Sequence, residues 1–114
     1  MFRMLQYKIE KNLNLKRSFD SQKDITREEM QKYIMQGAMV IDVRSPQEYR
    51  EGHVNGAICI PDYQIKKEIN KYVNNKETVI ILYCSTGHRS QKAQKILENM
   101  GYKNVYNVYE GIMY

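Results

Sequence analysis

Apolar residues in this chain follow two alternating rhythms. Short continuous runs at 38–43, 57–60, 78–83 and 105–109 are separated by stripes spaced three and four residues apart. A short run without polar alternation suits a strand covered on both faces. The strongest is Thr-Val-Ile-Ile-Leu-Tyr at 78–83, which is predicted to be central. Three stripes predict helices with one buried face: Met30, Tyr33 and Ile34; then Ile65, Ile69, Tyr72 and Val73; then Ala93, Ile96, Leu97 and Met100. The punctuation agrees. Thr26 followed by Glu29 is a capping-box pattern, and Gly37 suits a left-handed helix end. Ser45-Pro46 opens another helix, with Ser45 as N-cap. Gly52 and Gly56 bracket a turn, Pro61 stops the second run, and Gly101 closes the last helix. Strands and helices in this alternation predict an α/β sandwich with a mainly parallel sheet.

Residues 1–20 show no clean period. Leu5, Ile9 and Leu13 are spaced like a single helical stripe flanked by charge. This segment is read as an N-terminal extension without an assigned role, leaving 21–114 as one domain. A chain of 114 residues can build one core but not two. No apolar run approaches the roughly 20 residues of a membrane span. The first residues are interrupted by Arg3, Lys8, Glu10 and Lys11, so no secretory signal is expected. The expected compartment is the cytoplasm, with no membrane partner. Cys59 and Cys84 are too few to staple a secreted domain. With only His53 and His88 beside them, metal-ligand spacing is missing, so neither a metal nor a cofactor is expected. The net charge of +5 fits solubility or attraction of anions. The basic residues are spread without interleaved aromatics, which argues against a nucleic-acid partner.

The segment Cys84-Ser85-Thr86-Gly87-His88-Arg89-Ser90 falls between the strongest strand and the last helix. Ligands of parallel sheets bind at the carboxyl ends of strands. A helix N-terminus there offers free N–H groups and a positive partial charge. Ser85, Thr86 and Gly87 are small enough to turn successive N–H groups inward as a nest, and Arg89 adds a permanent, fork-shaped cation. Such surroundings favour the thiolate, the nucleophilic form of a cysteine. A cysteine that merely filled the core would need neither the glycine nor the arginine that follow it.

This loop resembles the active-site loop of the rhodanese (thiosulfate sulfurtransferase) family. Ile41-Asp42-Val43-Arg44, Glu48-Tyr49 and the stretch from Gly52-His53 to Ile60-Pro61 are similar to that family's first half. Gly101-Tyr102-Lys103-Asn104-Val105-Tyr106 followed by Glu110-Gly111 resembles its closing strand, so the likeness covers roughly 24–111. It implies a rhodanese-like three-layer sandwich, a mainly parallel sheet flanked by helices. It further implies that Cys84 takes a sulfane sulfur from thiosulfate or a persulfide donor, becomes a persulfide, and passes the sulfur to a thiophilic acceptor. The expected partners are a small anionic sulfur donor and a thiol or cyanide acceptor, which in the case of a thiol can belong to a protein. Ser85, Thr86, Gly87, His88 and Arg89 would bind the substrate. Two features depart from the family's pattern. Many single-domain members have a basic residue after the cysteine, where this chain has Ser85, which implies a weaker hold on dianionic thiosulfate. Little chain follows Glu110-Gly111 for a closing helix.

Two other readings share parts of this pattern. Cysteine-based phosphatases place five residues between cysteine and arginine, whereas this loop has four, Ser85 to His88, a smaller cradle suited to one sulfur atom. A module that only carries sulfur or holds a partner is the second. Around the loop, Asp42 and Arg44 are expected to pair and fix the site, with His53 and Ser90 as further support. His53 should bond a neighbouring carboxylate, Asp42 or Glu48. His88 either adds charge when protonated or lends only its N–H. Cys59 is read as core, and Tyr83 as structural.

Overall fold

The computed structural model describes residues 23–113. The Leu5, Ile9 and Leu13 stripe lies outside the described residues. Five strands form one sheet: β1 (Asp24–Ile25), β2 (Met39–Asp42), β3 (Ile58–Cys59), β4 (Val79–Tyr83) and β5 (Asn104–Val108). Their order is β1-β5-β4-β2-β3, and every pairing is parallel. The strand with the strongest apolar run, β4, is central as predicted. Helices α1 (Arg27–Met35), α2 (Pro46–Glu51), α3 (Ile65–Glu68) and α4 (His88–Asn99) connect the strands.

Side-chain alternation along β4 builds both layers of the core. Ile80, Leu82 and Cys84 join the cluster that holds Ile65 of α3 and Ala93 and Leu97 of α4. Ile81 and Tyr83 join the opposite cluster with Met30 of α1, Val54, Ala57 and Ile112. The three-layer sandwich follows from a central strand that is apolar on both faces.

Both expected helix starts are present. Thr26 and Glu29 exchange capping-box bonds, the Glu29 N–H donating to Thr26 Oγ1 at 3.0 Å and the Thr26 N–H to Glu29 Oε1 at 3.0 Å. Ser45 and Glu48 do the same at α2, with Pro46 in the first turn. The 65–73 stripe differs from expectation. It is a short α3 flanked by 3-10 turns at Asp62–Gln64 and Ile69–Lys71. Ile65, Ile69 and Val73 are buried, but Tyr72 is half-exposed; the Val73 N–H bonds the Ile69 carbonyl at 2.9 Å, so the buried face runs from Ile69 to the residue four positions on and leaves Tyr72 at its side. Strand β1 was not expected. Its two residues are too few to show a period, and it is held by bonds from the Asn107 and Tyr109 N–H groups to the Lys23 and Ile25 carbonyls.

Candidate active site

Cys84 follows β4 directly, at the carboxyl end of the sheet, and is fully buried. Three donor groups converge on its sulfur. The Gly87 N–H donates at 3.1 Å and the Ser90 N–H at 3.4 Å. The Ser90 hydroxyl lies 3.3 Å away, with either atom able to donate. The loop reaches this shape because Gly87 takes φ +88° as the N-cap of α4, a left-handed conformation that costs glycine little. Its backbone is held from β5, where Asn107 Nδ2 donates to the Gly87 carbonyl at 3.3 Å. Negative charge on Sγ is therefore met by two backbone N–H groups at the positive end of a twelve-residue helix.

The segment after β5 braces the other side of the loop. The Ile112 N–H donates to the Cys84 carbonyl at 2.8 Å. Gly111 has φ +74°, and a Cβ added there would lie 2.0 Å from the Ser85 carbonyl oxygen. Only glycine fits against the loop backbone at that point. This contact between positions 26 residues apart leaves no local signal, and sequence reasoning missed it.

A buried polar network fixes the strand ends beneath the loop. Arg44 grips Asp42 with Nε on Oδ1 at 3.0 Å and Nη2 on Oδ2 at 2.7 Å, and Nη2 also donates to the Gly52 carbonyl at 2.6 Å. The Tyr83 hydroxyl donates to Asp42 Oδ2 at 2.8 Å and accepts the Val54 N–H at 2.9 Å. Burial pushes the Tyr83 phenol well above its ordinary range, with Asp42 adding to the rise against the Val54 N–H. Tyr83 therefore serves as a protonated anchor one residue before Cys84.

Arg89 is turned to a carboxylate. Its Nη1 and Nη2 donate to Glu48 Oε1 and Oε2 at 2.7 and 2.9 Å. The Ser85 hydroxyl donates to Glu48 Oε2 at 3.3 Å. Arg89, foremost, and then the Ser45 cap bonds hold the Glu48 carboxyl well below the usual carboxylate range, against the effect of burial. Sequence reasoning named Glu48 only within the family-like motif and as a candidate partner of His53, not as the partner of Arg89. The signal was present in Ser45-x-x-Glu48, which fixes the carboxylate at the third position of α2.

Three further expectations need amending. His53 bonds neither Asp42 nor Glu48, since Arg44, Tyr83 and Arg89 already take those oxygens. Its Nδ1 lies 2.7 Å from the Tyr49 carbonyl, and its ring stacks on Tyr49 at 3.7 Å. Ser90, read as support, touches the sulfur itself. Cys59 is half-buried on the edge strand β3 rather than core, and its Sγ donates to the Arg44 carbonyl at 3.8 Å. Burial, then the charge of Asp42, pushes its thiol up. His88 and Thr86 are exposed and pair with each other, Nδ1 to Oγ1, at 3.0 Å.

Fold and site together define an α/β protein with a buried cysteine cradled at a helix N-terminus. The family model described as a rhodanese-like domain matches residues 26–113, and the chain belongs to that family. It is 43% identical over 67 residues to "Thiosulfate sulfurtransferase PspE" of Escherichia coli, a match covering 59% of this chain and 64% of that protein. It is 36% identical over 73 residues to "Putative sulfur carrier protein YrkF" of Bacillus subtilis, covering 64% and 38%. The chain thus spans less than two thirds of the length of these curated relatives. A solved structure described as "rhodanese with anions from E. coli" superposes with a TM-score of 0.62 at 40% identity, covering 64% of this chain and 86% of that one. Among the described residues, no helix is long and apolar enough to cross a membrane.

Proposed function

We propose that the protein is a sulfurtransferase that carries sulfur as a Cys84 persulfide. The carrying observation is the set of donors on one buried sulfur: the Gly87 and Ser90 N–H groups and the Ser90 hydroxyl. The Cys84 thiolate attacks the outer sulfur of thiosulfate or of a persulfide. The sulfur–sulfur bond of the donor breaks, and sulfite or a thiolate leaves with the bonding pair. The terminal sulfur of the new persulfide then takes the place of the thiolate before the α4 N-terminus, where the loop N–H groups and helix dipole stabilise its charge. A thiolate or cyanide acceptor attacks that sulfur and returns Cys84 as thiolate, a ping-pong exchange. Ser85, Thr86, Gly87 and His88 form the wall the donor meets, and Arg89 stands at its edge. Residues 21–114 constitute the functional domain. The compartment that fits this reading is the cytoplasm, since a secreted domain of this size usually carries more cysteines than Cys59 and Cys84.

The name of the Bacillus subtilis relative favours one variant of this reading, in which the persulfide is handed to a bound partner rather than turned over freely. A phosphatase is less well supported, because Arg89 is committed to Glu48 instead of aimed into the cradle.

Intact mass after incubation with thiosulfate, and separately with an alkyl persulfide, tests the proposal. The wild type should gain one sulfur atom and lose it to cyanide, while Cys84→Ser should gain none and keep the fold. A wild type that gains no sulfur from either donor refutes the assignment.

A further inference from the structure

Arg89 occupies the position where a cation would attract an anionic donor, yet its charge is already answered. Both terminal nitrogens lie on Glu48, at 2.7 and 2.9 Å. Glu48 is itself fixed from two other directions. The Ser45 N–H donates to Oε1 at 3.0 Å as part of the α2 cap, and the Ser85 hydroxyl donates to Oε2 at 3.3 Å. Swinging the carboxylate away would break a helix cap as well as the ion pair. A second carboxylate, Asp62, acts on Arg89 through space. The pair is about one-third exposed, 37% for Arg89 and 32% for Glu48. Ser85, the residue after Cys84, bonds Glu48, so the pair borders the loop and is open to solvent there.

We propose that Glu48 is a specificity-determining residue: by cancelling the charge of Arg89 beside the loop, it turns the site from dianionic donors towards persulfides. The assignment of donors rests on the sulfurtransferase reading. An alkyl persulfide carries at most one charge, and its attraction to the site comes from the loop N–H groups. Thiosulfate carries two charges and gains most from an uncompensated cation. In this site it meets an arginine already neutralised by one carboxylate and within the field of a second.

The test compares wild type, Glu48→Gln and Arg89→Gln. Glutamine at position 48 keeps an oxygen for the Ser45 N–H, so the cap survives while the negative charge is lost. Two readouts are taken: the rate of Cys84 persulfide formation with thiosulfate and with an alkyl persulfide, and the ratio of Cys84 alkylation rates by anionic iodoacetate and neutral iodoacetamide. Glu48→Gln should raise the thiosulfate rate about tenfold, the low end of what local charge does to association of anions, and raise the iodoacetate ratio likewise. The alkyl persulfide rate should change less. Arg89→Gln leaves Glu48 uncompensated and should move the thiosulfate rate and the iodoacetate ratio downwards. Opposite signs are the signature of charge cancellation, since loss of a purely structural pair would shift both variants the same way. Alkylation ratios that move together overturn the proposal. A wild type loaded by neither donor refutes the sulfurtransferase reading and the donor assignment with it, while the alkylation ratios still decide whether the charge is cancelled.

Discussion

Arg44 and Asp42 form an ion pair whose side chains are 3% and 0% exposed, with nitrogen and oxygen 2.7 Å apart. Arg89 and Glu48 form one at the same 2.7 Å separation whose side chains are 37% and 32% exposed. The contact is alike, yet its consequences differ. The buried pair lost most of its hydration on folding, so each partner depends on the other and on the bonds to Gly52 and Tyr83. The outer pair keeps water on both sides and stabilises little. Its weight lies in what an approaching ligand experiences. One pair holds the ends of β2 and β4 so that Cys84 emerges in place, and the other sets the charge beside Cys84.

Breaking the buried pair should have the largest effect. Arg44→Met leaves the Asp42 carboxylate buried without its cation, a change that typically costs about 3–5 kcal/mol. That is a large share of the roughly 5–15 kcal/mol by which domains are stable. Urea denaturation should show the loss, and the double variant Asp42→Leu/Arg44→Met should recover much of it. If Arg44→Met were as stable as wild type, the two pairs would not be distinct in kind.

Tyr83→Phe cuts into the same network more gently. It removes the donor to Asp42 Oδ2 and the acceptor of the Val54 N–H, leaving buried groups that cost about 1–3 kcal/mol when unsatisfied. The same denaturation measurement should place it between Arg44→Met and any substitution of the outer pair. A cost below that of Glu48→Gln would reverse the order that burial sets.

How much of this was legible in the sequence depends on the range of the interaction. The central strand, the capped helices, the Cys84 loop and the Asp42–Arg44 pair are written in residues a few positions apart, where period and capping chemistry act. Gly87 was legible because the left-handed turn it serves is local. The Glu48–Arg89 pair spans 41 residues, and only the capping half of Glu48's role had a local mark. Gly111 against Ser85 had none, because that contact exists only once β5 lies beside β4. His53 was misassigned for a related reason. Its expected carboxylates were already claimed by partners across the fold, and the Tyr49 carbonyl one helical turn away accepted it instead.

The smallest effect should be the stability that the outer pair confers, and its pH dependence identifies it. Arg89 holds the Glu48 carboxyl below its ordinary value in the folded state, while the unfolded chain has the usual value near ~4.3. Above that value Glu48 is ionised in both states, and its contribution to stability is fully present. As pH falls below it, the unfolded chain binds a proton that the folded protein resists, so stability drops until the folded carboxyl also titrates. The partial exposure of both side chains limits the whole contribution to about 1 kcal/mol or less. The difference in unfolding free energy between wild type and Glu48→Gln should therefore be flat from pH 6 to 8 and shrink steadily below about pH 4.3. A difference that grew on acidification would mean that Glu48 is strained rather than stabilised by its partners, and the outer pair would lose its place in the comparison.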